Sequence, residues 1–295
     1  MTPHKQRTDL ILYVLKWFIL FVMMTVVAFS LVQIMPLSGD AQPSTDSPFW
    51  IQYFDWLSRF FTGQWGVSKL NQLPVFVELM KRLPYSLAVA MGGVFVSGFG
   101  AFWLGYKASL GQKNIWYRLS QVLSVALDTV PFFILATILM YVIAVRFTVL
   151  RLVVGSPIPA VLLGICLVAI YQIGMLSGSV YDSFKKIQNK TFIKAYTLRG
   201  FFLEDVLLKY GTRPTLVRLF SEMSRQFSWV IGGAAIVELV FGIPGINSFL
   251  VESLREHDYL VAQPYLMLVT LWLLVVNAVF FLIIQGLERS MRRES

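Results

Sequence analysis

Six stretches of this 295-residue chain are long and apolar enough to cross the hydrocarbon core of a bilayer, which takes about 20 mostly apolar residues in a helix. They run roughly over 10–35, 84–106, 118–145, 152–178, 214–241 and 262–287. No other feature restricts the fold as much. Backbone polar groups in lipid must find partners within the protein, and a continuous apolar run does so as a helix. The expected class is all-α, a polytopic membrane protein with six transmembrane helices. Composition agrees: 57% of residues are hydrophobic, mean hydropathy is +0.68 and 14% are charged, against about 25% in soluble domains. The first run is broken only by Lys16 and is too long for the core of a cleaved signal, so it reads as a retained span. Pro131 lies in the middle of the third run, where neighbouring helices can satisfy the carbonyl it frees, often with a kink.

The lysines and arginines then orient the chain. One set of loops holds Lys5 and Arg7, then Lys107, Lys113 and Arg118, then nine residues from Lys185 to Arg225, then Arg289, Arg292 and Arg293. The alternate set holds Arg59, Lys69, Lys81, Arg82, Arg146, Arg151 and Arg255. Seventeen against seven places both termini in the cytoplasm by the positive-inside rule. The net charge of +9 is therefore read as membrane topology rather than as a surface for nucleic acid.

Several chemistries find no support. The single cysteine, Cys166, cannot form an internal disulfide, and the only histidines, His4 and His257, are far apart in sequence. No phosphate-binding loop, H-E-x-x-H or G-x-S-x-G occurs, so no nucleotide, metal or catalytic site is expected in this chain. No duplicated pair of broken helices or filter-like segment suggests a secondary transporter or channel.

Outside the spans, "FWIQYFDWLSRFF" (49–61) sets Phe49, Tyr53, Trp56, Leu57 and Phe60 at helical spacing, with Gln52, Asp55 and Arg59 on another face. Two placements fit: a helix lying in the membrane interface, or one packed on the outer ends of the bundle. In the second span, Gly93, Ser97, Ala101 and Gly105 form a small-residue stripe suited to close packing, within the chain or on another subunit.

Ionisable groups in spans usually face the interior or water. Asp128 lies about 15 Å into the third run, at 1.5 Å per residue. It lines a path or makes a structural hydrogen bond. Arg218, Glu222 and Arg225 share one face of the fifth run, as a vestibule lining or an ion-paired helix contact. Glu238, beside the "GIPG" break, reads as a gate or loop anchor.

The longest internal loop contains "KAYTLRGFFLEDVLLKYGTR" (194–213), with six charged residues. Phe201, Phe202, Leu203, Val206, Leu207 and Leu208 can bury one side on a partner, while the flanking charges register the contact. Gly200 allows a sharp turn or a close backbone approach. By itself such a segment equally fits a helix resting on lipid headgroups.

"KAYTLRG" resembles the EAA-type loop of ABC-importer permeases, which docks on a cytoplasmic ATPase. Ala195 and Gly200 match the small and glycine positions, and Lys194 stands where the motif has glutamate. Most of the chain is similar to the dipeptide/oligopeptide/nickel branch. "GQWGVS" (63–68), "TVPFF" (129–133) and "GGAAIVELVFGIPGINSFLVESLREHDYLV" (232–261) resemble its signature elements, with Gly232, Gly233, Glu238, Phe241, Pro244, Gly245, Asp258 and Tyr259 in register. Asn277 matches a polar position in the last span. Departures are Asn247 in place of a loop glycine, and a proline at 214 rather than near 218.

The resemblance implies an ABC type I importer-like permease fold, with 36–83 as an external loop and 190–213 as the coupling loop. It implies ATPase coupling through Lys194, Ala195, Arg199, Gly200, Phe201 and Glu204. It adds Pro131, Pro244, Gly245 and Asn277 to Asp128, Arg218, Glu222, Arg225 and Glu238 as translocation-path or gate residues. The implied partners are a second homologous permease, two ABC ATPase subunits that bind ATP and magnesium, an external substrate-binding protein and the lipid bilayer. The implied location is a bacterial inner membrane. The expected substrate is a peptide; a nickel or metal complex, or peptide export, is the alternative within the family. A transporter or channel working alone is the rival class.

Overall fold

The computed structural model describes residues 3–34, 48–111, 113–146 and 156–293. Among these the regular structure is helical, apart from one isolated bridge between Val67 and Pro74. The helices are α1 (Pro3–Ile34), α2 (Phe49–Phe61), α3 (Val75–Ser109), α4 (Ile115–Thr129), α5 (Phe132–Arg146), α6 (Pro157–Gln188), α7 (Thr191–Leu198), α8 (Leu203–Phe241), α9 (Ile246–Arg255) and α10 (Ala262–Arg293). A 3-10 turn, Tyr259–Val261, precedes the last. Among the described residues, three helices are long and apolar enough to cross a membrane unaided, and up to five if each bent pair counts as one span.

The third apolar run departs most from a simple helix. It is two helices, α4 and α5, set at 105°. Val130 takes an extended conformation (φ −91°, ψ 119°) because a residue before proline is disfavoured in the helical region. Pro131 therefore ends α4 where a mere kink was expected. The fifth run departs in the opposite sense. Pro214 does not start it; a 39-residue helix, α8, runs through that proline from Leu203. At 1.5 Å per residue this rod is roughly 58 Å long.

The chain divides into two units, residues 1–83 with 246–275, and 84–245 with 276–295. In the first, Val75, Leu79, Ile246, Phe249 and Val261 form a fully buried cluster, and Ala28, Phe60 and Met267 form a second. Trp65 packs against both. It stacks on Phe60 with ring centroids 5.1 Å apart and donates its indole N–H to the Phe60 carbonyl at 2.8 Å.

In the second unit α6 is the central element. Gly93 and Gly105 of α3 lie so close to Val168 and Val180 that a Cβ on either would collide with them. The small-residue stripe thus seats α3 on α6, within the chain. These pairings advance together, so α3 and α6 run parallel. Ser120–Ser177 (3.1 Å) sets α4 antiparallel to α6 together with the Tyr117–Tyr181 ring contact. Ser183–Thr215 (3.0 Å) and the stacked Tyr171–Trp229 pair (4.7 Å) set α8 antiparallel to α6. Phe280 against both Phe220 and Phe227, with Asn277 bonded to Ser224, sets α10 antiparallel to α8.

Candidate functional site

The loop after α6 is built by its own local chemistry. α6 ends at Gln188, with Lys185 and Lys186 in its last turn, where cations suit the helix dipole. α7 follows and closes in a Schellman motif. The Gly200 N–H donates to Thr197 O at 3.1 Å, and the Phe201 N–H reaches back to Tyr196 O at 3.3 Å. Gly200 has φ +89°, a conformation that other residues adopt only with strain. The hydrophobic contact that accompanies such a motif is present: the Tyr196 and Phe201 rings meet edge-on at 5.6 Å. Two residues later α8 starts, with Glu204 and Asp205 in its first turn, where negative charge is favoured.

α7 folds against the first turns of α8. Tyr210 stacks on Tyr196 (5.3 Å) and donates its hydroxyl hydrogen to it at 3.0 Å. Ile193, Val206 and Leu207 are buried. Val206 and Leu207, expected on a partner-facing side, therefore face their own chain. Exposed are Leu198 (88%), Phe202 (78%), Phe201 (56%), Leu208 and Phe192, together with Lys194, Ala195, Arg199, Gly200 and Glu204. Leu110, Phe202, Leu203, Glu204 and Asp205 border a shallow open cavity of about 500 Å³. A Cβ at Gly200 would meet nothing within 4 Å. The glycine is thus required by the turn and leaves its outer side clear. The Tyr106 hydroxyl, near the end of α3, donates to the Glu204 carbonyl at 3.4 Å. The loop therefore sits at the ends of α3, α6 and α8 that carry the basic residues.

The membrane candidates fall into separate groups. Arg218 donates from Nε to Ser179 Oγ at 2.9 Å, and Glu222 pairs with the exposed Arg225. Asn277 is buried and accepts from Ser224 Oγ at 2.8 Å. Pro131 is exposed at the α4–α5 break, and the side chain of Asp128 lies outside the described residues. Glu238, about 24 Å farther along α8 than Glu222 by rise per residue, is fully buried. There α8 ends on Gly242, which is left-handed (φ +65°), and the Ile243 N–H donates to Glu238 O at 2.9 Å. The chain then folds over the Glu238 side chain so closely that a Cβ at Gly245 would overlap its carboxylate. Pro244 is half-buried in this turn. Glu238 and Gly245 thus form one packed corner, apart from the Arg218 group.

Sequence reading missed a further pair. Gln172 of α6 is buried, and its Nε2 has no hydrogen-bond partner; neither does the buried Oε1 of Gln226 on α8. Each lies eleven residues, close to three whole turns, from the bonded Ser183–Thr215 pair. In an antiparallel helix pair that puts the two amides at one level. Lone glutamines in apolar runs gave no signal, because only the α6–α8 register sets them at one level.

A family model describing the binding-protein-dependent transport system inner membrane component matches residues 83–293. The chain belongs to this family. The permease is also 24% identical over 256 residues to the glutathione transport system permease protein GsiC of Escherichia coli (strain K12), covering 85% of this chain and 82% of that protein. The same protein of Salmonella typhimurium is 23% identical over the same lengths, and that of Shigella flexneri serotype 5b 24%. It is therefore an all-α membrane permease of ABC-transporter type, a transport component rather than an enzyme.

Two signature elements far apart in sequence meet in the permease. Ser68, which closes "GQWGVS", donates to Asp258 Oδ2 at 2.6 Å, and the Lys69 N–H donates to the same oxygen at 2.7 Å. Asp258 is fully buried, so it staples the loop before α3 to the turn before α10. That pairing accounts physically for serine and aspartate at positions 190 residues apart.

Proposed function

We propose that this permease is the membrane path of a bacterial ATP-driven importer of peptides, gripped by ATPase subunits at the α7–α8 turn. One observation carries the reading. A rigid, glycine-capped turn presents Leu198, Phe201 and Phe202 to solvent beside Arg199 and Glu204. Contiguous apolar surface of this kind marks an interaction site, and the charged rim suits steering of a partner. α8 then runs as one rod from that turn to the Glu238 corner, so a push at one end has a stiff route to the other. ATP and magnesium are held by the partners in this reading, and an external binding protein delivers substrate. The alternating directions of α3, α4, α6, α8 and α10 support a six-span topology with cytoplasmic termini. The relatives named for glutathione transport support a peptide as cargo, glutathione being a peptide itself.

The test is co-purification in mild detergent followed by ATP turnover in nanodiscs with the binding protein added. The wild type brings down an ATPase subunit with a phosphate-binding loop. Gly200→Glu inserts normally, because the turn lies outside the apolar runs, but loses that subunit or its substrate-stimulated turnover. Unchanged coupling in a fully assembled Gly200→Glu complex would defeat the proposal. Transport by the purified permease with no ATPase present would favour a carrier or channel acting alone.

A further inference from the structure

α2 presents three distinct faces. One is buried on its own unit. Phe29 of α1 touches the rings of Phe49, Tyr53 and Trp56 at 5.2–5.6 Å, and the Tyr53 hydroxyl bonds Thr25 Oγ1 at 2.6 Å. The Trp56 indole N–H donates to Gln263 Oε1 at 3.0 Å, and Gln263 in turn donates to the Ala28 carbonyl at 3.2 Å. A second face is polar: Asp55 and Arg59 pair at 2.6 Å, both more than half exposed. The third face is apolar and bare. Trp50, Phe54 and Phe61 are 62%, 63% and 65% exposed. At 100° per residue they lie within about 40° of each other around the helix.

The buried face also fixes a depth. α2 crosses α1 at Thr25–Phe29, and α1's apolar run continues to about residue 35. Ala28 is therefore roughly 10 Å short of the end of that run at 1.5 Å per residue. Phe60 packs on Met267, about 8 Å inside the start of α10 by the same measure. Both lengths put α2 just inside the end of the apolar segments, the level at which interfacial helices lie, about 5–10 Å into the headgroup and acyl boundary.

We propose that the Trp50–Phe54–Phe61 face is embedded in the outer-leaflet lipid, with Asp55 and Arg59 turned to headgroups and water. α2 is then a lipid-anchored strut that holds the external end of α1. The occupant is lipid rather than protein for two reasons. α1, to which α2 is bound, itself leaves the apolar Phe18, Ile19, Met23 and Val27 uncovered, as a helix facing lipid does. Aromatic side chains beside a polar stripe are also what the bilayer interface selects. The proposal rests on the reading of α1 as a membrane span.

The experiment uses the permease purified with its co-expressed subunits, in nanodiscs of phosphatidylethanolamine and phosphatidylglycerol. In a Cys166→Ser background, single cysteines replace Trp50, Phe54, Phe61, Asp55 or Arg59, and Phe18 or Met23 of α1, and carry a nitroxide. Collision rates with oxygen and with a water-soluble nickel chelate are compared. Labels at 50, 54 and 61 are expected to favour oxygen several-fold, as at 18 and 23, while 55 and 59 favour the chelate. Chelate access at 54 and 61 equal to that at 55 would put the face in water and overturn the proposal. Immobile labels shielded from both reagents would mean that a partner protein covers it, overturning the proposal equally. In either case oxygen-rich labels at 18 and 23 would leave the reading of α1 standing, whereas chelate access there as well would remove that reading too. All three apolar side chains are more than half exposed, so cysteine there removes only their edge contacts with neighbouring rings, Tyr53 and Phe60 among them; any two that assemble suffice.

Discussion

Two glycine turns interrupt the second unit, and they are built on opposite principles. At Gly200 the backbone is left-handed and the space outside it is empty. At Gly245 no such φ is needed, but the Glu238 carboxylate fills the place of a side chain. The first turn is closed by its own backbone hydrogen bonds and leaves apolar side chains uncovered. The second is closed by contact with a buried carboxyl group. A glycine can thus be required by geometry or by crowding, and only the second kind reports on its surroundings. The open turn suits a surface that receives a partner. The crowded corner suits a place where movement must break a packed contact.

The largest effect is expected from adding one methyl group at the crowded turn. Gly245→Ala drives Cβ into the Glu238 carboxylate, and overpacking of this kind costs about 1–3 kcal/mol. Folded, monodisperse permease in detergent should fall several-fold, with the melting temperature lowered. Combining it with Glu238→Ala should recover part of the loss, because the collision is gone. The recovery is partial, since removing the fully buried Glu238 side chain leaves a cavity in its place. Wild-type melting of Gly245→Ala would show that the corner relaxes freely and would erase the contrast.

Gly200→Ala adds the same methyl group to the open turn. Here only the left-handed backbone objects, at roughly 1 kcal/mol, and nothing lies within 4 Å to collide with. Yield and melting temperature should stay near wild type. ATPase association, read by pull-down, should weaken less than in Gly200→Glu. A melting loss as large as that of Gly245→Ala would mean that the turn is braced by contacts of its own.

The asymmetry also shows what could be read before the structure. The all-α membrane class was legible, because six apolar runs leave a chain few alternatives. Gly200 was legible as a turn, since a glycine between two amphipathic stretches has few other uses. That Val206 and Leu207 turn inward was not, because helical spacing gives a face but not the neighbour it meets. The third run misled: its length suggested one kinked helix, whereas Pro131 forced Val130 to extend and split it. The extension of α8 through Pro214 was equally hidden, because a proline inside a helix is tolerated only where tertiary packing compensates, and that packing is invisible in sequence. Glu238 was legible as a residue beside a break. Its burial against Gly245, like the level of Gln172 with Gln226, depends on contacts that no local pattern encodes.

The smallest expected effect lies at the rim of the open turn. Arg199 follows α7 as its C-terminal cap and is exposed, so its charge is well screened and contributes little to the fold. Arg199→Glu should leave melting unchanged. It places a negative charge near Glu204 and Asp205 in the first turn of α8 and reverses the sign offered to an approaching subunit. Exposed rim charges act mainly on association rate and its salt dependence. The expected result is slower ATPase binding at low salt, with wild-type and variant rates converging as salt rises within the range where the Debye length shrinks from about 30 Å to about 8 Å. Dissociation should change little, since Leu198, Phe201 and Phe202 still supply the apolar contact. If dissociation instead accelerated and association did not change, Arg199 would be a desolvated anchor rather than a rim charge. The open turn would then resemble the crowded corner, with its contacts completed by another subunit.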